Sequence, residues 1–150
     1  MYLFLVMTGS DKYHITTDRQ AMDLDLVHGF LTESYWSPGI PKEILKQAMD
    51  HSICFGAFDE AGNQVGFARA VTDRTTFAYL ADVFVLEAHR GQGISKQLME
   101  AYSQHPDLQG IRRHLLATSD AHKLYEKFGF TPIEQPEIFM HKHNPDVYKK

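Results

Sequence analysis

The sequence has little cysteine and no long hydrophobic run. Cys54 is the single cysteine among 150 residues, which excludes an intramolecular disulfide and a zinc site built from several cysteines. It lies in the apolar run 53–55, which favours a buried small side chain over a nucleophile. The apolar stretch 2–7 is far shorter than the roughly 20 residues of a membrane-spanning helix, and it lacks the features of a signal peptide. We therefore expect a cytoplasmic protein with no membrane partner.

The sequence also lacks a block of basic residues. Fifteen Lys and Arg against nineteen Asp and Glu give a net charge of −4. The basic pairs at 112–113 and 149–150 are too short to form a nucleic-acid interface. His141 and His143 have no third candidate ligand nearby in the sequence, so they indicate a solvated edge and no metal site. These features predict no nucleic-acid partner and no metal.

The length and composition are those of one folded domain. Hydrophobic residues make up 43% of the chain and aromatic residues 12%, which is enough for a core and excludes general disorder. No repeat or linker divides the 150 residues, so we expect a single domain over 1–150. Residues 1–12 are predicted to be an N-terminal extension, with Met1 and Met7 as alternative natural starts.

Hydrophobic periodicity predicts four helices and several strands. Asp18 is expected to cap the first helix, Pro41 to lie in the first turn of the second, Ile94 to begin the third and Gly129 to end the fourth. Alternating or apolar β-rich runs predict strands. The resulting order, β-α-α-β-β-β-α-β-α-β-β, predicts a mixed α/β sheet with helices on its faces. The predicted strands are 13–17, 52–58, 64–72, 77–86, 114–118, 130–133 and 138–141.

A glycine-containing turn joins the most apolar strand to the third helix. Its sequence is Arg90-Gly91-Gln92-Gly93-Ile94-Ser95, and the free N–H groups at the start of the following helix favour phosphate binding. The P-loop pattern G-x-x-x-x-G-K-[ST] is not met, and the dinucleotide pattern G-x-G-x-x-G meets Lys96 at its third glycine. The turn therefore predicts phosphate binding of another kind.

Two segments of the chain match motifs of one enzyme family. Residues 90–95 are similar to the acyl-coenzyme A motif Q/R-x-x-G-x-G/A of the GNAT acyltransferase superfamily. Residues 121–130, AHKLYEKFGF, resemble the A-x-x-L-Y-E-K-x-G-F segment of the same family. The resemblance covers about residues 13–140. It implies an α/β fold with a mixed, mostly antiparallel central sheet of about six to seven strands, flanked by about four helices.

The resemblance implies acetyl-CoA as co-substrate, without a metal. Its pyrophosphate would lie against the backbone N–H groups of the turn and of the first residues of the helix, where small side chains permit close approach. The strand before the turn would pair its backbone with the pantetheine arm as an added strand would. Arg90 either contacts a phosphate or holds the turn together. The predicted cofactor-binding residues are Val83, Val85, Arg90, Gly91, Gln92, Gly93, Ser95 and Lys96.

Two residues depart from the family pattern. Ser95 stands where the family prefers Gly or Ala; it keeps the backbone amide and adds one hydroxyl, so we expect binding to survive. Thr118 stands where many members carry Asn, which weakens any assignment of a ligand-holding side chain at that strand end.

Tyr125 and Asp82 are the predicted catalytic residues. In this family a tyrosine at the position of Tyr125 commonly protonates or stabilises the leaving thiolate; the alternative is a tyrosine that packs with Ala121 and Phe128. Asp82 is the candidate base because burying a carboxylate inside an apolar strand costs free energy, which a purely structural role does not readily explain. Its alternative is a carboxylate paired with Arg69. Strict alternation places Asp82 opposite Val83, unless a bulge resets the pattern.

The acceptor pocket is inferred by analogy with the family. Tyr35 and Trp36 precede a break at 37–41 and form either an aromatic wall for an amine or a hydrophobic lid over the first two helices. The predicted substrate-binding residues are Glu33, Tyr35, Trp36, Arg69, Asp73 and Tyr79.

These features together predict an N-acetyltransferase. It would transfer an acetyl group from acetyl-CoA to a primary amine, on a small molecule or a peptide, by direct attack in a ternary complex. The alternatives are a non-catalytic acyl-CoA-binding sensor of the same fold, and a phosphate or nucleotide binder that uses the same turn. Exposed edge strands near the C-terminus also make a homodimer a reasonable expectation.

Overall fold

Six strands form one sheet in the described part of the chain. The structure is a computed structural model, and it describes residues 5–7 and 12–149. The sheet order is β1-β2-β3-β4-β5-β6, with antiparallel neighbours from β1 to β5 and a parallel β5–β6 pair. The predicted mixed, mostly antiparallel sheet is confirmed. The strands are β1 (Leu5–Met7), β2 (His14–Thr16), β3 (Ile53–Phe58), β4 (Gln64–Thr72), β5 (Phe77–Val85) and β6 (Arg113–Leu116).

Four α-helices accompany the sheet, as predicted. They are α1 (Leu24–Leu31), α2 (Lys42–Asp50), α3 (Ile94–Gln104) and α4 (His122–Glu126). Asp18 was the expected cap of α1, but it caps the short 3-10 helix Arg19–Ala21 instead, where its side chain accepts from the N–H of Gln20. Asp23 is the cap of α1 and accepts from the N–H of Leu26.

The sheet separates two apolar clusters. On one face α3 packs against β2, β3 and β4, with Phe55 and Leu98 fully buried. On the other face α1 and α2 cover β3 and β4, with Leu45 and Phe67 fully buried. Every residue of β3 is buried, because both faces of this strand are covered. The two clusters together cover both faces of β3 and β4.

The C-terminal segment differs from the prediction. The ranges 130–133 and 138–141 do not form strands, and Pro136–Ile138 is a 3-10 helix. Proline has no backbone N–H to contribute to a sheet ladder, and Pro132 and Pro136 interrupt this segment. Within the described residues β6 therefore has β5 as its single sheet neighbour. Its other side faces a groove of about 910 Å³ bordered by the C-terminal segment.

Part of the predicted N-terminal extension forms a strand. Residues 5–7 form β1, and Val6 pairs with Ile15 on β2. Of the other residues of the predicted extension, Lys12 is described, whereas 1–4 and 8–11, and with them Met1 as a start, lie outside the described residues. Within 5–7 and 12–149 no helix is both long and apolar enough to cross a membrane.

Candidate active site

The central feature of the site is a wedge between β5 and β6. The two strands pair in parallel from Phe77 with Arg113 to Leu80 with Leu116. Beyond this point β6 ends, whereas β5 continues to Val85. In the part of the chain that the structure describes, no strand pairs with that side of β5 along residues 81–85. We call this unpaired gap beside β5, beyond the end of β6, the wedge.

An irregularity in β5 lies where the wedge begins. The register between β4 and β5 shifts between Phe67 and Arg69, and Asp82 has a positive φ of 57°. A left-handed conformation is uncommon for a residue other than glycine. The bulge that would reset the alternation of Asp82 and Val83 is therefore present, and it turns Asp82 out of the regular pleat.

The backbone of Val85 faces the open side of β5. The N–H of Leu86 donates to the oxygen of Val65 on β4 at 2.9 Å, and Val85 pairs with Gly66. Because adjacent residues alternate in an antiparallel ladder, the peptide groups of Val85 point away from β4. Its carbonyl oxygen accepts from Nε of Arg90 at 3.0 Å. Arg90 thus holds the following turn against β5, which is one of the two roles considered for it.

The wedge opens onto the turn 90–93, which we call the phosphate turn. It follows the 3-10 helix Glu87–His89 and leads into α3. Gly91 and Gly93 have positive φ values of 78° and 82°, which favour glycine. A Cβ built on either residue would meet no atom within 4 Å. The phosphate turn is therefore an open cradle with no side chain inside it at these two positions.

The start of α3 leaves N–H donors free beside this cradle. Gly93 is its N-cap and makes no side-chain capping bond. The first helical bond at this end runs from the N–H of Gln97 to the oxygen of Gly93, at 3.0 Å. The preceding N–H groups, including those of Ser95 and Lys96, have no partner one turn back in the helix. The predicted phosphate-binding residues are thus brought together at the positive end of an eleven-residue helix.

Tyr125 is nearly buried, at 8% exposed. It is on α4 and belongs to the same apolar cluster that Val83 packs against. Its ring meets that of Phe130 edge to face, with centroids 6.1 Å apart. Burial raises the pKa of Tyr125, and the neighbouring Asp120 and Tyr35 raise it further. The phenol therefore keeps its proton at neutral pH, as a hydrogen-bond donor must.

Asp82 is paired in this structure. Its Oδ2 accepts from Nε of Arg69 at 2.9 Å, and its Oδ1 accepts from Nε1 of Trp36 at 2.9 Å. The Asp82 side chain is 7% exposed, so this pairing satisfies a nearly buried charge. Arg69 also donates from Nη1 to Oγ of Ser52 at 3.1 Å. The pairing with Arg69, considered as the alternative role, is what the structure shows, while a base role for Asp82 stays a prediction.

The loop between α1 and α2 reaches both sides of the wedge. Trp36 is bonded to Asp82 on β5, and the hydroxyl of Tyr35 lies 3.0 Å from Oγ of Ser119, which follows β6. The Tyr35 side chain is 73% exposed, and the two rings meet edge to face at 5.0 Å. Glu33 is exposed on the same loop. The aromatic surface is exposed, while the Trp36 ring lies 6.4 Å from that of Phe30 on α1; the wall and the lid over the first two helices stay alternative predictions.

Two predicted substrate-binding residues lie elsewhere. Asp73 is in the turn between β4 and β5, where its carboxylate accepts from the N–H groups of Thr75, Thr76 and Phe77. These bonds, together with the Thr76 hydroxyl, lower the pKa of Asp73. Tyr79 pairs with Leu115 in the closed part of the β5–β6 ladder. The structure therefore does not bring these two residues to the wedge.

Thr118 has a local role at the end of β6. Its hydroxyl oxygen accepts from the N–H of Ala121 at 3.0 Å, which stabilises the chain reversal before α4. Its hydroxyl also lies 3.4 Å from the N–H nitrogen of Asp120, so both bonds stay within this reversal.

Several residues of the site carry no signal in the sequence. Ser52 and Ser119 bind site residues through hydroxyl groups, and Tyr13 with His89 forms hydrogen bonds behind the phosphate turn. Each contact joins residues far apart in the chain, so no local pattern could reveal it. Within the described residues no group of three His, Cys, Asp or Glu could hold a metal ion.

Comparison with known proteins finds a family whose sequences match this chain. A family model described as "Acetyltransferase (GNAT) domain" matches residues 50–132, more than half of the chain. A Gibberella zeae protein named "Putative acetyltransferase FG08082" is 30% identical over 137 residues, which cover 77% of this chain and 76% of that protein.

Solved structures agree with this match. The crystal structure of a GNAT-family "putative acetyltransferase" from Xanthomonas campestris is 50% identical, covers 92% of this chain and 97% of its own, and has a TM-score of 0.88. A "putative acetyltransferase" from Deinococcus radiodurans shares the fold, with a TM-score of 0.72 at 20% identity over 95% of both chains. The chain, with its wedge, its phosphate turn and its buried tyrosine, belongs to the GNAT family of acetyltransferases.

Proposed function

We propose that the protein transfers an acetyl group from acetyl-CoA to a primary amine, by direct attack within a ternary complex. The observation that carries this proposal is the wedge between β5 and β6, which opens directly onto the phosphate turn. An extended ligand with phosphates at one end fits such a groove, since β5 offers backbone groups along it and the turn offers N–H donors at its end.

The residues present fit the co-substrate. The phosphates would lie against the N–H groups of Gly91 to Gly93, Ser95 and Lys96, where the two glycines leave the cradle open. The N–H of Val85 and the backbone of Val83 would receive the pantetheine arm along the wedge. Acetyl-CoA supplies the thioester carbonyl that an amine attacks. The remaining chemistry concerns protons, which the chain's own residues must donate or accept.

Tyr125 is the proposed hydrogen-bond donor to the leaving thiolate. Its raised pKa keeps the phenol protonated, and a thiol has an ordinary pKa of about 8.5. The thiolate is thus a weaker base than the phenolate, so Tyr125 stabilises the developing negative charge chiefly by donating a hydrogen bond. Its place in the apolar cluster strengthens this interaction, because water competes less there.

Asp82 is the proposed base. Each of its two oxygens accepts one hydrogen bond, which leaves further lone pairs on the carboxylate for a proton. An ammonium group must lose a proton before it attacks a carbonyl, since a lysine-type amine has a pKa near 10.4. The nearly buried carboxylate at the start of the wedge is suitably placed for this task, and it also fixes the indole of Trp36.

Cys54 supports direct transfer. It is buried, and its thiol donates to the oxygen of Met49 at 3.4 Å. Burial raises the pKa of Cys54 to about 12, so the nucleophilic thiolate is scarcely populated at neutral pH. A covalent acyl-cysteine is therefore not part of the proposal.

Calorimetric titration of the purified protein with acetyl-CoA, with ATP as control, is the first test. We expect micromolar binding to acetyl-CoA and none to ATP, followed by thiol release when a panel of primary amines is added. Equal binding of ATP would indicate a nucleotide binder. Tight acetyl-CoA binding without thiol release for any amine would indicate a sensor. No binding at millimolar acetyl-CoA would refute the proposal.

Two further expectations accompany the proposal. The cytoplasmic location stays a prediction and is tested by fractionation of the source cells. The homodimer also stays a prediction: the side of β6 away from β5 is an unpaired edge within the described residues, and such edges pair readily with another chain. Light scattering on the purified protein measures the oligomeric state directly.

A further inference from the structure

We infer that Tyr13 is a positioning residue for the phosphate turn, and that it acts through the side chain of Gln92. This inference rests on the proposed function, because it concerns how the cradle for the acetyl-CoA phosphates keeps its shape. Neither residue would use its side chain to touch the ligand. The N–H groups beside Gln92 would do so, and Tyr13 would hold them in place.

The contacts behind the phosphate turn form one connected group. Tyr13 precedes β2 and is 2% exposed. Its hydroxyl lies 3.0 Å from Oε1 of Gln92 and 2.9 Å from Nδ1 of His89. Nζ of Lys12 donates to the same Oε1 at 2.8 Å. The Gln92 amide oxygen thus receives two hydrogen bonds from residues about 80 positions away in the sequence.

Counting protons fixes the direction of these bonds. A phenol has a single hydrogen, and the hydroxyl of Tyr13 donates it to Gln92. The bond with His89 must then run the other way, so Nδ1 of His89 carries a proton and donates to the Tyr13 oxygen. The hydroxyl therefore donates to one end of the segment 89–92 and accepts from the other. It ties the last residue of the 3-10 helix to the middle of the phosphate turn.

This tie acts where the backbone is least constrained. Gln92 stands between Gly91 and Gly93, which have no Cβ and no neighbouring atom within 4 Å of the place where one would be. A glycine on each side of Gln92 permits backbone conformations that other residues rarely adopt, so the peptide planes of the turn can rotate. The Gln92 side chain anchors the segment between them, while Arg90 anchors its start through Val85. Without the Gln92 anchor, the N–H groups would have to be ordered by the phosphates themselves.

Ordering the phosphate turn costs free energy, and this cost lowers the affinity for acetyl-CoA. A ligand that must immobilise a loop binds more weakly than one that meets a preformed site. Loss of the Tyr13 hydroxyl is expected to weaken acetyl-CoA binding about three- to tenfold, the effect of about one net hydrogen bond. Tyr125 and the wedge are untouched, so kcat should change by less than about twofold.

The test compares two tyrosine variants of the full chain by calorimetric titration with acetyl-CoA. Tyr13→Phe removes the hydroxyl behind the phosphate turn. Tyr102→Phe is the matched control: this tyrosine is 3% exposed, and its hydroxyl lies 2.6 Å from Nδ1 of His114, away from the turn. Both variants lose one buried hydroxyl–histidine bond, so a general loss of stability would affect both alike. We expect weaker binding for Tyr13→Phe and parental affinity for Tyr102→Phe.

A second variant separates positioning from folding. Gln92→Ala cuts the same tie at the exposed side and leaves the buried Tyr13 in place. If Tyr13 acts through Gln92, Gln92→Ala weakens binding to a similar degree, and the double variant is no weaker than the weaker single one. Parental affinity of Tyr13→Phe or of Gln92→Ala, or additive losses in the double variant, would overturn the inference and leave the proposed function standing. If the parent protein itself fails to bind acetyl-CoA, both proposals fall.

Discussion

Replacing Tyr125 by phenylalanine isolates one hydroxyl in the proposed reaction. Tyr125 is nearly buried, and its ring packs on Phe130 within the apolar cluster of α3 and α4. Phenylalanine keeps that ring contact, so we expect the free energy of unfolding to change by less than about 1 kcal/mol. The affinity for acetyl-CoA should also be parental, because the phosphate turn and the wedge backbone are unchanged.

The effect on turnover follows from the hydrogen bond that is lost. A hydrogen bond to a charged group contributes about 1.5–3 kcal/mol, which corresponds to a fall in kcat of about 10- to 150-fold. Thiol release from acetyl-CoA, with the best amine of the panel, measures it. Parental turnover of Tyr125→Phe would refute the assignment of the leaving-group donor, whereas an equal loss of affinity and turnover would indicate a packing role.

The pH dependence gives an independent check on Tyr125. Burial and the neighbouring Asp120 raise the pKa of this phenol, and the protonated form is the active donor. The activity of the parent should therefore persist through the ordinary tyrosine range near pH 10 and fall only above it. In Tyr125→Phe the fall that is due to this group should be absent. A decline below pH 10 that Tyr125→Phe abolishes would contradict the raised pKa of Tyr125.

Three further predictions test other parts of the site. Gly93→Ala forces a side chain into a positive φ of 82° and fills the cradle, so acetyl-CoA affinity should fall more than about tenfold; Gly110→Ala, at φ 70°, adds similar strain of about 1–2 kcal/mol elsewhere and should bind normally in the same titration. Asp82→Asn should lower the turnover rate at pH 7, and the rate should recover towards pH 9–10, where the amine loses its proton without a base. A loss of rate that does not depend on pH would mean that Asp82 only supports Arg69 and Trp36. Cys54→Ala should keep turnover within about twofold in the thiol-release assay, and abolished turnover in a folded variant would point to an acyl-enzyme.

The sequence predicts the backbone geometry of the turn 90–93 because that geometry is local. Gly91 and Gly93 have the positive φ that such a turn requires, and the helix that follows begins at Ile94 as expected. The pairing of Asp82 with Arg69 was also foreseeable as an alternative, since a carboxylate within an apolar strand needs a partner. The backbone geometry of a short turn and the cost of burying a charge can both be inferred from one sequence.

The remaining features depend on distant partners. The Tyr35 hydroxyl is hydrogen-bonded to Ser119 and the Tyr13 hydroxyl to Gln92, and the partners are about 80 residues apart in each case. No local sequence pattern predicts such hydrogen bonds. The predicted strand at 130–133 fails for a different reason. Its apolar and β-branched residues fit a strand, but Pro132 removes a ladder donor, and an isolated run of four residues has no neighbour to compensate.

The parting of β5 and β6 has a consequence for how the sheet holds together. Four residue pairs join β6 to β5, and within the described residues β6 has no other sheet neighbour, so this edge strand is held from one side alone. A ligand bound in the wedge would bridge the two strands beyond Leu80. Amide hydrogen exchange at residues 113–116 would then slow upon loading, while β3 at the centre of the sheet would exchange as before. The acyl donor would thus complete the sheet that it enters, and the acceptor would meet a stiffer enzyme than the donor did.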